Sequence, residues 1–289
     1  MRWALRLLLY TVIVIIFTAA ALTYLALRPA RITSEVTPAD LGLEYESVQF
    51  ETEDGVELAG WMVPRQDDGE TAAIEESPTI MALHGYPADK GNILPAVADL
   101  SQDYNLFLFD FRYHGESGGA YSGLGAKETQ DLQAAATFID SEYDIDSFGI
   151  WGFSFGASVA LLTAPEEPAI RAIYAESSYA DLHRLARETL TVPVVGSVLA
   201  ETASVMARPF GVDTRATVPA AAASELDIPV QIVHSTEDEV IDISHGRELY
   251  AALESDSATL REQDGGHGQL QPDYLEQVRD FFDEHLTGE

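Results

Sequence analysis

The sequence predicts one α/β domain, a mainly parallel sheet covered by helices on both faces, carried behind a single helix long enough to cross a membrane. Three observations lead there. From residue 79 onward, short apolar runs alternate with helically spaced segments. The pentapeptide Gly152-Phe153-Ser154-Phe155-Gly156 joins one such run to one such helix, and residues 7–27 carry no charge at all. Regular alternation of strand and helix produces a parallel sheet with both faces buried. At 289 residues the chain has room for one large core but is cramped for two.

Taken in order, residues 1–31 form the N-terminal segment, and the uncharged run is long enough to span a bilayer as a helix. The competing reading is a cleavable signal peptide, with Arg2 and Arg6 as a basic start and Ala19, Ala20 and Ala21 as a small-residue cleavage site. The run continues past that site to Leu27, which favours an anchor. Arginines flank the span on both sides, so the positive-inside rule does not fix its orientation; a short basic tail inside and the domain outside is the preferred arrangement.

Residues 32–44 read as a linker, and the α/β domain covers 45–287. It opens with an antiparallel hairpin, 45–52 and 56–63, around the turn Glu53-Asp54-Gly55. Residues 65–78 are polar and read as a loop. Buried strands are predicted at 79–83, 105–109, 148–151, 170–175 and 229–233, with a last strand at 258–262. Helices are predicted at 92–100, 126–139, 155–162, 243–253 and 274–285. Between the sixth strand and the seventh, residues of about 179–227 exceed a plain crossover. Leu190, Val192, Val194, Val195, Val198 and Leu199 make this insertion apolar, as in a cap over the sheet's carboxyl edge or an elaborated crossover.

Composition removes several classes of function. The formal net charge is -32, and since residues 1–31 contain four arginines and no acid, the domain itself is more acidic still. Such a surface repels nucleic acid. Lysine occurs only at Lys90 and Lys127, yet 46% of residues are hydrophobic, which points to a folded domain with a carboxylate-rich surface screened at high salt. A salt-loving host is the expectation. Cysteine is absent, so the chemistry must come from Ser, His, Asp, Glu and Tyr.

The three fixed letters of Gly-x-Ser-x-Gly occur by chance in about one chain in ten of this length. Their position between a strand and a helix is more specific, because a serine there sits on a tight turn that needs glycine at both flanks. The helix that follows points its positive end at whatever binds near the hydroxyl. A serine hydroxyl needs a base, and the base needs an orienting carboxylate. Of the seven histidines, His267 lies in Gly265-Gly266-His267-Gly268, between the last strand and the last helix, where it can return toward Ser154. His84 and His114 precede glycines in loops, His183 and His245 fall in helical segments, and His285 lies on the terminal helix. Asp238 follows a strand and precedes a helix; Glu237, Glu239 and Asp242 are its neighbours, and Glu176 at another strand end is the substitute acid. Two backbone donors should hold a developing oxyanion, each worth roughly 3 kcal/mol. They are the amides of Phe155 and Tyr86, the latter from the loop His84-Gly85-Tyr86.

At this point residues 45–287 resemble the α/β-hydrolase superfamily. The landmarks are His84-Gly85-Tyr86, then Asp110-Phe111-Arg112-Tyr113-His114-Gly115-Glu116-Ser117-Gly118, then the serine elbow, then the stretch 234–238 followed by Gly266-His267. The second is similar to the family's structural Asp-x-Arg-Gly turn, departing at Tyr113; Ala157 and Ser235 also stand where glycine is common. The anchor, the hairpin and Ser178-Tyr179-Ala180-Asp181-Leu182 resemble small membrane-anchored relatives of the prolyl-oligopeptidase and monoacylglycerol-lipase types. The order Ser, Asp, His implies a catalytic triad of Ser154, Asp238 and His267 without metal or organic cofactor. The implied activity is ester hydrolysis first, with amide or thioester cleavage second, on a small-molecule or acyl-chain substrate. The same fold hosts peptidases, dehalogenases, lyases and perhydrolases, and a catalytically silent, membrane-tethered binding module is the rival outside enzymology. Serine at the elbow speaks against a dehalogenase, which prefers an acid there.

Overall fold

In a computed structural model, residues 2–67, 70–190, 192, 195–254 and 256–287 are described. Helix α1 (Arg2–Leu27) leads into a linker and the hairpin β1 (Glu46–Glu51) and β2 (Glu57–Val63), followed by two short strands, β3 (Gln66–Asp67) and β4 (Glu70–Thr71). Next come β5 (Thr79–Leu83), α2 (Lys90–Val97), β6 (Asn105–Phe109), α3 (Glu128–Tyr143), β7 (Phe148–Phe153), α4 (Phe155–Thr163) and β8 (Ile170–Glu176). The chain continues through α5 (Leu182–Thr189), α6 (Val195–Ala207), α7 (Pro219–Ala223), β9 (Val230–Ser235), α8 (Ile243–Ala252), β10 (Ala258–Gln263) and α9 (Tyr274–Phe282).

Eight strands form one sheet in the order β1-β2-β6-β5-β7-β8-β9-β10, with the hairpin antiparallel and every pair from β6 onward parallel. Residues within each strand divide between two cores. On one face Met81, Leu83, Phe107 and Phe109 pack with Leu132, Ala160 and Leu249 from α3, α4 and α8. On the other, Ile80, Ala82, Leu106 and Leu108 pack with Leu94 of α2 and Val278 and Phe282 of α9. Continuous apolar runs are what strands covered on both sides require.

Boundaries shift for local reasons. The helix expected at 92–100 begins at Lys90, because the Asp89 carboxylate accepts from the Asn92 amide, and a tighter turn replaces it after Val97. The helix expected at 126–139 runs to Tyr143 and stops where Asp144 turns left-handed at φ 56°. The strand expected at 148–151 extends to Phe153, paired with Glu176. Part of the loop predicted at 65–78 forms the β3–β4 pairing; Asp68 and Gly69 lie outside the described residues.

The linker is tied down rather than loose: the Ser34 hydroxyl donates to Asp89 at 2.7 Å, and Pro38–Leu41 makes a single tight turn. The long insertion contains α5, α6 and α7. Helix α7 joins the main core through Ala220 and Ala223, whereas α6 lies against α1. Val194 of the predicted apolar run lies outside the described residues.

Candidate active site

Strand β5 has β6 on one side and β7 on the other, so the chain reverses its winding direction between β5 and β7. A crevice opens at the carboxyl ends of strands where this happens. The loop carrying Tyr86 leaves β5 there, and Ser154 leaves β7 beside it.

Ser154 sits at φ 53°, ψ -110°, outside the comfortable regions for a residue with a side chain. Its amide donates to the Glu176 carbonyl at 2.7 Å, which holds the turn against β8. The flanking glycines are required by space. A Cβ at Gly152 would meet the Ala157 backbone at 2.6 Å, and one at Gly156 would overlap the Leu83 carbonyl. Gly85 likewise gives room for Phe153 and Ser154, whose side chains a Cβ would meet at 3.0 and 3.4 Å.

His267 reaches back from the β10–α9 loop so that its Nε2 lies 3.0 Å from Ser154 Oγ, and its Nδ1 lies 2.7 Å from Asp238 Oδ2. The ring rests against Phe153, with centroids 5.0 Å apart. The other Asp238 oxygen, Oδ1, accepts from the amides of Val240 and Ile241, both at 2.9 Å. Burial alone would raise the Asp238 pKa, but the bonds from His267 and these amides outweigh it and hold the carboxyl below its ordinary value. An ionised carboxylate at Nδ1 keeps the proton on that nitrogen, leaving Nε2 as the acceptor facing the serine.

Phe155 opens α4, so its amide has no partner within the helix, and the Tyr86 amide makes no hydrogen bond to another described residue. The Tyr86 phenol is committed elsewhere: it donates to the Ala26 carbonyl of α1 at 2.8 Å, while burial, then the charge of Glu128, raises its pKa to about 12.

The remaining candidates hold structure. His84 accepts from the Phe111 amide at 3.0 Å, and burial lowers its pKa to about 3, so the ring is neutral. His245 accepts from the Ala180 amide and donates to Glu188, and His183 bonds Glu201 at 3.0 Å. Of the carboxylates beside Asp238, Glu237 and Glu239 are exposed and Asp242 caps α8 through the Ser244 amide. Glu176 is buried with neither side-chain oxygen hydrogen-bonded, and burial raises its pKa to about 7. In the turn after β6, Asp110 accepts from the Lys90 side chain and the Glu116 amide, while Arg112 bridges Asp131 and Asp54. Among the described residues, no group of three or more His, Cys, Asp and Glu is placed to hold a metal ion.

An apolar cavity of about 390 Å³ opens over Ser154, bounded by Tyr86, Phe155 and Tyr179, by Leu182 and Leu185 of α5, by Ala200 and Ala203 of α6, and by Leu22, Thr23, Ala26 and Leu27 of α1. The share of α1 is what sequence reasoning missed. The apolar run to Leu27 marks a long helix but not which residues of the domain cover it.

Residues 78–218 match the model of the alpha/beta hydrolase fold family. The uncharacterized protein YfhR of Escherichia coli (strain K12) is 28% identical over 247 residues, covering 82% of this chain and 80% of that protein. Protein bem46 of Schizosaccharomyces pombe is 28% identical over 152 residues, 50% of this chain and 48% of its own. Among solved structures, the Pyrococcus furiosus esterase Pf2001 superposes with a TM-score of 0.73 at 26% identity, covering 89% of this chain and 99% of that one.

Proposed function

We propose that this chain, a member of the α/β-hydrolase superfamily, is a membrane-anchored serine hydrolase that cleaves carboxylic esters through an acyl-enzyme. The observation that carries the reading is the hydrogen-bonded chain from Ser154 through His267 to Asp238, at 3.0 and 2.7 Å, beneath an apolar cavity. In this reading Ser154 Oγ attacks the ester carbonyl carbon as its proton passes to His267 Nε2. The carbonyl oxygen becomes an oxyanion between the Phe155 and Tyr86 amides, with the positive end of α4 beneath it. Collapse expels the alcohol, which takes the proton from His267. Water, deprotonated by the same nitrogen, then releases the acid and restores the serine.

The similarity to a Pyrococcus furiosus esterase supports an ester rather than an amide substrate. The membrane anchor is supported by the way α1 is held. Ile15 and Ala19, which precede Ala21, belong to its covered side, so cleavage after Ala21 would strip part of a packed face, while the Tyr86 and Ser122 bonds to the Ala26 and Leu27 carbonyls hold the remainder. An extracytoplasmic catalytic domain is the proposed placement.

The test is steady-state and pre-steady-state kinetics of the full chain on matched ester, thioester and amide substrates in high salt. A burst of alcohol product on the ester, with slower thioester and amide turnover, is expected. Preferred amide cleavage would replace the esterase reading with a peptidase one, and no turnover of any substrate would favour the silent binding module.

A further inference from the structure

Helices α1 and α6 pair in a way that a mere tether would not need. Ile15, Ala19, Leu22, Thr23, Ala26 and Leu27 form the covered stripe of α1, while the remaining positions of that helix are exposed. Ala203 and Ala207 of α6 face this stripe, small residues that let two backbones approach closely. The helices run parallel: the Thr23 hydroxyl lies 3.3 Å from the Ala203 carbonyl, and Leu27 clusters with Ala207.

Length then places α6. The whole of α1 measures about 39 Å, but if everything beside α6 stood in water only residues 2–14 would remain to cross the membrane, about 20 Å. A bilayer's hydrocarbon core is about 30 Å thick. The outer side of α6 must therefore share the apolar layer with α1. The sequence agrees, because in a chain of 48 acidic residues 189–200 carry no charge. Val192, Val195, Val198 and Val205 are exposed, and the lone charge of α6, Glu201, is paired with His183 and Arg215.

The cavity over Ser154 is walled on one side by this pair, through Leu22, Thr23 and Ala26 of α1 and Ala200 and Ala203 of α6. We infer that the membrane helix is itself part of the substrate pocket, and that the pocket takes the acyl chain of an ester drawn from the lipid leaflet in which α1 and α6 lie. This rests on the serine hydrolase reading for the chemistry and adds the substrate class and the route of entry. The apolar lining suits an alkyl chain, and the pocket ends at the serine hydroxyl, where the chain's carbonyl would sit.

Two measurements on the full chain in phosphatidylcholine liposomes test it. The first is the ratio of kcat/KM for a hexadecanoyl ester to that for a butanoyl ester of the same alcohol, with Ala203→Trp filling the pocket. The ratio should fall roughly tenfold or more in the variant; a smaller change overturns the inference. The second works even if that variant does not fold, and uses the absence of native cysteine. A fluorophore on Val198→Cys should be quenched by nitroxide-labelled lipid, whereas one on Thr137→Cys, on the exposed side of α3, should not. An unquenched Val198 probe overturns the inference whatever the kinetics. Failure of the unaltered protein to hydrolyse either ester would instead remove the serine hydrolase reading, which the quenching result does not touch.

Discussion

Asp238 Oδ2 lies 2.7 Å from His267 Nδ1, while the other oxygen of the same carboxylate is held by two backbone amides, those of Val240 and Ile241. The carboxylate is thus clamped on one side and presents its second oxygen to the imidazole. That division of labour fixes both the rotamer of Asp238 and the tautomer of His267.

Asp238→Asn keeps the amide clamp but offers an N–H to His267 Nδ1, moving the ring proton to Nε2, where it blocks acceptance from Ser154. A fall in kcat of roughly 10³–10⁴-fold is expected, the size such an inversion has in a Ser-His-Asp triad. Ester kinetics alongside thermal unfolding check it; a variant that retains full kcat removes Asp238 from the proposed triad.

Glu176 gives a pH signature. Its pKa is raised to about 7 by burial from an ordinary 4.5, so between those values the folded chain holds a proton that the unfolded chain has released. Stability therefore falls as pH rises through that window, by about 3 kcal/mol in all. Glu176→Gln removes this term, so the stability of the variant minus that of the wild type should increase by about that amount between pH 4 and pH 8. Denaturation at several pH values measures the difference; a flat difference contradicts the buried, unpartnered carboxyl.

The net charge of -32 predicts a midpoint of thermal unfolding that climbs with potassium chloride. Screening shortens from about 30 Å at 0.01 M to about 3 Å at 1 M, relieving repulsion among surface carboxylates. Calorimetry across that range tests the salt-loving expectation, and equal midpoints at both ends would sink it.

Lys90 is buried and bonds Asp110 at 2.7 Å. Lys90→Met leaves that buried carboxylate without its cation and should cost about 3–5 kcal/mol, as breaking a buried pair does. The loss should appear in unfolding measurements. A change below about 1 kcal/mol would mean the backbone amides of Lys90 and Glu116, which the substitution keeps, carry Asp110 without the cation.

Several parts of this molecule are legible in its sequence. The two-sided strands announced themselves as unbroken apolar runs, and the elbow was readable because Gly152 and Gly156 answer a steric demand that no other residue meets. The Ser-acid-His order is shared by Glu237, Glu239 and Asp242 and does not single out Asp238, since the amides that clamp it belong to a turn whose shape no residue pattern specifies. The part played by α1 was out of reach for another reason. Its partner α6 lies far along the chain, and the match rests on small residues such as Ala203 and Ala207, which read equally well as ordinary helix formers. The apolar run around Val195 and Val198 was visible as something unusual, but it is the contacts of Thr23 with Ala203 and of Leu27 with Ala207 that tie it to α1.

The central claim is that Ser154 is the nucleophile. The most direct measurement is covalent labelling of the full chain with a fluorophosphonate in high salt, with the adduct located by peptide mass spectrometry. A single adduct on the peptide containing Ser154, absent from Ser154→Ala and strongly slowed in His267→Ala, is the expected result. An adduct on a different residue, or undiminished labelling of Ser154→Ala, would contradict it.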